Sequence, residues 1–264
     1  MKIKDRLYQI TRFLSDNGRL IYHVLKIRTQ WRVCPSRTCH FLVIQNPIYG
    51  QLFLYAVASL LFHNPDFEVK LHCDSKCYKR IYMKSQILFG SKVSFVMTDL
   101  RNSDPMFEKA KLLISLQGSS DFFIDADTRI NGPLPILSQV SVLVKEFSLA
   151  EHSIWKDICN FMEIEPSELS MLNTTFYTWG GKSQGIKLQE FSSFYMGFLN
   201  LNWKALSINN NFDPTKYTRL VEQFFFSYIL SNEKVNALKS VDKVADKGVI
   251  ESSYFGASGY RFGR

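Results

Sequence analysis

Two carboxylates one residue apart close an apolar run in Phe122-Phe123-Ile124-Asp125-Ala126-Asp127-Thr128, and the turn-forming Asn131-Gly132-Pro133 follows. In an extended backbone alternate side chains share a face, so Asp125 and Asp127 are expected to converge on one hard cation at the carboxyl end of a strand. Mn²⁺ or Mg²⁺ held there would neutralise a diphosphate, which is the chemistry a nucleotide-sugar transferase needs. An isolated D-x-D is a weak signal, since acidic pairs are common in turns. Its weight therefore depends on the elements around it.

Those elements alternate. Phe41–Gln45 reads as a strand, about 50–63 as a helix stopped by Asn64-Pro65, and Phe67–Asp74 as a second strand. A helix near 76–88, a strand over Lys92–Met97 and a helix over Pro105–Leu116 lead into the Asp125/Asp127 strand. Repeated β-α units with short connections predict a mostly parallel sheet flanked by helices, a Rossmann-like α/β fold with ligands beyond the carboxyl ends of its strands. Gln45, Asn46, Asp74, Asp125, Ala126 and Asp127 fall at such ends. Strand-end capping is an equally good reading of Gln45, Asn46 and Asp74. Beyond Leu134 the pattern loosens to a strand over 140–144, a helix near 154–162, a polar stretch over 174–185 and a final helix over about 218–230.

A chain of 264 residues, 46% of them hydrophobic, is long enough for one sizeable core. Its 22 Phe and 12 Tyr are read chiefly as filling for that core. The net charge of +8 is concentrated: residues 1–40 carry nine bases against Asp5 and Asp16. Ile3, Leu7, Ile10 and Leu14, then Leu20, Val24 and Ile27, recur at helical spacing, so 1–37 is read as a basic amphipathic helical segment ahead of a domain over 38–264. Such a segment suits a membrane surface or an anionic polymer through residues 1–34, or packs on its own domain.

Charges interrupt the first thirty residues and no signal-peptide pattern is evident, while the apolar run Leu52–Phe62 is too short to span a bilayer. Five cysteines lack zinc-site spacing and are read as reduced thiols, giving a cytoplasmic expectation with peripheral contact at the inner face of a membrane.

With its motif at the fourth strand of a β-α series, the chain over 41 to about 256 resembles glycosyltransferases of the GT-A fold, most closely the retaining glycogenin-like family. In that family a helix bearing a basic residue leads into a strand ending Asp-Ala-Asp-Thr, as Lys109 and Phe122–Thr128 do here. A family strand with Asn-x-Gly is similar to Tyr195-Met196-Gly197, and a helix start with Asp-Gln is similar to Glu222-Gln223. The resemblance implies a UDP-sugar donor, a glycan or lipid-linked acceptor and retention of configuration. It places Lys109 and Gly197 at the donor and Glu222 with Gln223 near the anomeric carbon. The family's late histidine ligand and Lys-Pro-Trp tail are absent here, and Ser253–Gly256 stands in their place, with Arg261 or Arg264 as the expected diphosphate contact. Trp179-Gly180 is read as an acceptor-side stacking lip, or as a turn with a packed tryptophan.

Three rival readings remain. A Mg²⁺-dependent phosphohydrolase also uses a strand ending D-x-D, but its family wants Thr or Val where Arg129 stands and carries the motif on its first strand. A glycosyltransferase acting on nucleic acid fits the basic segment. So does a non-catalytic membrane- or nucleic-acid-binding module, although the chain carries no helix-turn-helix, finger or RNA-binding aromatic signature.

Overall fold

Burial alternates residue by residue along the second strand, with Phe67, Val69, Leu71 and Cys73 buried and Glu68, Lys70 and His72 between them half-buried. The apolar set faces helices and each member contributes about 1.5–3 kcal/mol of burial, while the polar set lies on the opposite face. The computed structural model describes residues 18, 20–29, 34–45, 48–98, 104–144, 149–163, 165, 172–204, 220–230, 236–239 and 250–251. The chain divides into two compact units: Met1–Leu100 with Asp121–Ile136 and Ser240–Arg264, and Arg101–Ser120 with Leu137–Lys239.

In the first unit a helix α1 over 20–29 precedes strand β1 (Arg37–Val43), helix α2 (Ile48–His63), strand β2 (Phe67–Cys73), helix α3 (Ser75–Phe89) and strand β3 (Val93–Met97). Strand β4 (Phe122–Ile124) lies beside β1, with Cys39 opposite Phe122 and His40 opposite Phe123. All four strands run parallel in the order β3-β2-β1-β4. The expected Rossmann-like α/β sheet is therefore present. The strand order proceeds outward from β1 to β3 and then resumes on the other side of β1, so the β1/β4 boundary is a topological switch point, where such sheets bind ligands. Strand β5 (Arg129–Ile130) pairs antiparallel with a short strand over Ile250–Glu251.

Helix α3 begins at Asp74, whose carboxylate accepts from the Cys77 amide, and ends at Gly90 with φ 55°. Val24 and Ile27 of α1 are buried, as their spacing requires, and Leu20 packs on Leu52 and Tyr55 of α2. Ile3, Leu7, Ile10 and Leu14 lie outside the described residues. Among the described residues no helix is long and apolar enough to cross a membrane.

In the second unit helix α4 (Pro105–Ser115) is capped by Asp104 with proline in its first turn. Strand β6 (Ser141–Val144) pairs antiparallel with β7 (Leu172–Thr178) and parallel with β8 (Asn236–Lys239), and its register slips between Val142 and Leu143. Helices α5 (Leu149–Phe161), α6 (Leu188–Leu199) and α7 (Val221–Ile229) complete the unit, and the two-residue strand over Ile250–Glu251 is β9. Two sequence readings change here. The polar stretch begins inside strand β7, whose Thr174, Thr175, Phe176, Tyr177 and Thr178 are strand formers. The segment around Gly197, likened to a strand, is helix α6, because Phe191, Phe194 and Phe198 recur at helical spacing and are buried. Aromatic rings knit the unit together: Trp155 stacks on Phe224 at 4.9 Å, and Phe225 meets Phe191 and Phe194 edge-on.

Candidate functional site

Strand β4 ends at Ile124, and the backbone then turns: the Thr128 amide donates to the Asp125 carbonyl at 3.1 Å, enclosing Ala126 and Asp127. The two carboxylates are therefore presented by a tight turn, not by the extended backbone that the spacing suggested. Both are half-buried, whereas Ala126 and Thr128 between and after them are buried. Aspartate suits the first position of such a turn for local reasons as well as chemical ones.

The segment from Ile130 to Leu134, just past the turn, is firmly tied. The Ile130 amide donates to Ser59 Oγ at 3.0 Å, and buried Asn64 accepts from the Leu134 amide at 2.7 Å while donating to the Gly132 carbonyl at 3.3 Å. Arg37 donates to the Leu134 carbonyl and grips Asp66 with two nitrogens, at 2.7 and 3.0 Å. That grip holds the Asp66 carboxyl below its ordinary range. Asn64, read in the sequence as a helix stop, is thus the clamp of the loop behind the carboxylates.

At the neighbouring strand end Gln45 is exposed, with φ 61°, a left-handed conformation uncommon outside glycine. Its amide donates to Asp74, whose other oxygen caps α3 through Cys77. Burial opposes ionisation of Asp74, but the backbone amides outweigh it and hold the carboxyl low. Asp74 thus acts on the protein's own backbone and fixes Gln45 in place. Asn46 and Arg261 lie outside the described residues.

A second polar group lies within the same unit. His40 Nε2 is 3.1 Å from Asp121 Oδ2, and His40 Nδ1 is 2.9 Å from His72 Nε2, one ring nitrogen of that pair donating. Burial first, then the charges of His40 and Lys70, push His72 down to about 4. The alternating positions of His40 and His72 in their strands carried this signal in the sequence, but the pairing of β1 with β2 was needed to join them. The buried thiols of Cys73 and Cys77 are pushed up to about 12, chiefly by burial. They are poor nucleophiles, and all five cysteines are free.

The remaining candidates belong to the second unit. Lys109 on α4 is buried with its Nζ 3.6 Å from Glu222 Oε1 on α7, and Thr174 Oγ1 of β7 donates to the same oxygen at 3.2 Å. Glu222 is 1% exposed, so its carboxylate lacks the open approach that a sugar ring needs. Lys109 and Glu222, expected at the phosphate and at the anomeric carbon, form in this structure a buried ion pair that joins α4, α7 and β7. Gln223 is half-buried, and its carbonyl accepts from Ser227 Oγ.

Trp179 is fully buried, and its Nε1 donates to the Leu113 carbonyl at 2.7 Å. No ring face remains for a sugar, so the stacking lip is replaced by a packed turn. Gly180 adopts φ 57°, and a Cβ there would meet the Gln139 backbone at 2.3 Å. The glycine is required by close backbone approach. Gly197 is exposed on α6, with open space beyond a 3.5 Å approach to Met162.

Among the described residues no group of three or more histidine, cysteine or acidic side chains gathers as a metal centre. No protein-family model matches the chain, and no curated protein matches it in sequence. Solved structures similar to it include the galactosyltransferase LgtC with donor and acceptor sugar analogues, at TM-score 0.45 and 10% identity, covering 78% of this chain and 73% of that one. Also similar are the glycosyltransferase GlyE of Streptococcus pneumoniae TIGR4 (TM-score 0.42, 11% identity, 79% and 46% covered) and the mannosyltransferase PcManGT of Pyrobaculum calidifontis with GDP-Man and Mn²⁺ (TM-score 0.32, 11% identity, 52% and 46% covered). At these scores and identities the likenesses decide nothing about function.

Proposed function

We propose that the chain is a GT-A type glycosyltransferase that moves a sugar from a nucleotide-diphosphate donor to a glycan or lipid-linked acceptor. The observation that carries this reading is the place of Asp125 and Asp127: a turn at the carboxyl end of β4, beside β1, where the strand order reverses. A UDP-sugar donor and retention of configuration follow from the glycogenin-like resemblance. In this reading 38–264 form the catalytic domain and 1–37 the basic segment that serves it.

Two hard-oxygen donors on one half-buried turn suit Mn²⁺ or Mg²⁺, which take one or two carboxylates and complete their shell with phosphate oxygens and water. Asp125 and Asp127 would hold such an ion, whose positive charge would stabilise a departing nucleoside diphosphate. Gln45 stands exposed at the adjacent strand end to meet the base or ribose, held there by Asp74. Asn46 and Arg261 complete the donor contacts in this reading.

The test is a thermal-shift panel of nucleoside diphosphates with and without Mn²⁺ on the wild type, Asp125→Asn and Asp127→Asn. A metal-dependent rise in Tm that disappears in both variants supports the site. Stabilisation that survives both substitutions overturns it.

A further inference from the structure

Helix α1 packs through Val24 and Ile27, yet its outward residues are apolar too: Ile21 is 63%, Tyr22 59% and Leu25 60% exposed. An ordinary solvated helix turns polar residues outward. Arg28 donates to the Ile87 carbonyl at 2.7 Å and so ties α1 to the last turn of α3, where Ile87 is 60% and Met83 64% exposed. A hollow of about 260 Å³, lined by Leu20, Leu54, Tyr55, Lys84, Ile87 and Leu88, lies between these helices and α2.

Among the described residues of α1 and α3 the charges have one sign. Lys26 and Arg28 on α1, and Lys76, Lys79, Arg80 and Lys84 on α3, are all exposed, and neither helix contains an aspartate or glutamate. Exposed apolar side chains within a basic rim suit the boundary between lipid headgroups and acyl chains, where the apolar groups enter and the bases meet lipid phosphates. A nucleic acid would occupy the bases and leave Ile21, Leu25, Met83 and Ile87 in water.

We infer that the face formed by α1 and α3 docks this protein on an anionic bilayer surface. It is independent of the sugar-transfer reading, because binding is measured without donor or acceptor. The experiment is co-sedimentation of the full chain with phosphatidylcholine vesicles containing about a third phosphatidylserine, beside vesicles of phosphatidylcholine alone. The anionic vesicles bind the chain and the neutral ones bind it weakly.

Ile21→Ser with Leu25→Ser, which leaves Val24 and Ile27 in place, weakens binding by about tenfold or more with circular dichroism and Tm unchanged. Met83→Ser with Ile87→Ser does the same from the other helix. Lys79→Glu with Lys84→Glu weakens it comparably. Wild-type vesicle binding by both apolar variants overturns the inference. So does a chain that ignores anionic vesicles while capturing duplex DNA through the same lysines.

Discussion

Asp125 and Asp127 in the first unit and Glu222 in the second are acidic residues in similar sequence settings, each at the edge of an apolar element, yet their surroundings differ in kind. The pair at the end of β4 is half-buried on a turn closed by the Thr128 amide on the Asp125 carbonyl. Glu222 is enclosed, with Lys109 and Thr174 on one carboxylate oxygen. The half-buried pair lies at the strand end where the proposed donor would sit, whereas the enclosed carboxylate joins three elements. Removing either should therefore damage different properties.

The largest effect is expected at the aspartate pair. Asp125→Asn or Asp127→Asn should lower kcat/KM for sugar transfer by about a thousandfold, or ~4 kcal/mol, while changing unfolding free energy by less than about 0.5 kcal/mol. Glu222→Ala should instead cost about 3–5 kcal/mol in urea unfolding by removing one member of the buried Lys109–Glu222 pair, and Lys109→Met with Glu222→Leu should recover most of it. A Glu222→Gln variant of wild-type stability that has lost transfer would break the comparison and return Glu222 to the reacting centre. Gly180→Ala should cost more than about 1 kcal/mol, through its left-handed backbone and the approach to Gln139, with the loss read as a lowered Tm.

The smallest effect concerns pH. His72 is held down at about 4 against an ordinary value of 6.5, so below 6.5 the unfolded chain takes up a proton that the folded chain refuses. Its stabilising contribution is complete above 6.5 and declines as pH falls towards 4. Urea midpoints measured at intervals across that window should fall less in His72→Asn than in the wild type. Equal slopes would remove His72 from the account.

The first four strands were legible because each β-α unit changes from period two to helical spacing between clear stops such as Asn64-Pro65. The site was legible as far as its strand end. Its turn was not, because Asp125-Ala126-Asp127 is compatible with extended and turned backbone alike. The Lys109 pairing depends on α4 meeting α7, and the enclosure of Trp179 goes with its bond to the Leu113 carbonyl, contacts between distant residues that local spacing does not record. At Gly197 a family likeness outweighed the helical recurrence of Phe191, Phe194 and Phe198, and the recurrence was the better guide.

Asn64 has one more consequence. Its amide fastens the Gly132–Leu134 strip to the end of α2, so the rim behind the two aspartates is set by the fold itself. The entropy of ordering that rim is lost during folding and not on binding. On the proposed reading, calorimetry with Mn²⁺ should report coordination and dehydration, with little heat capacity change from a collapsing loop.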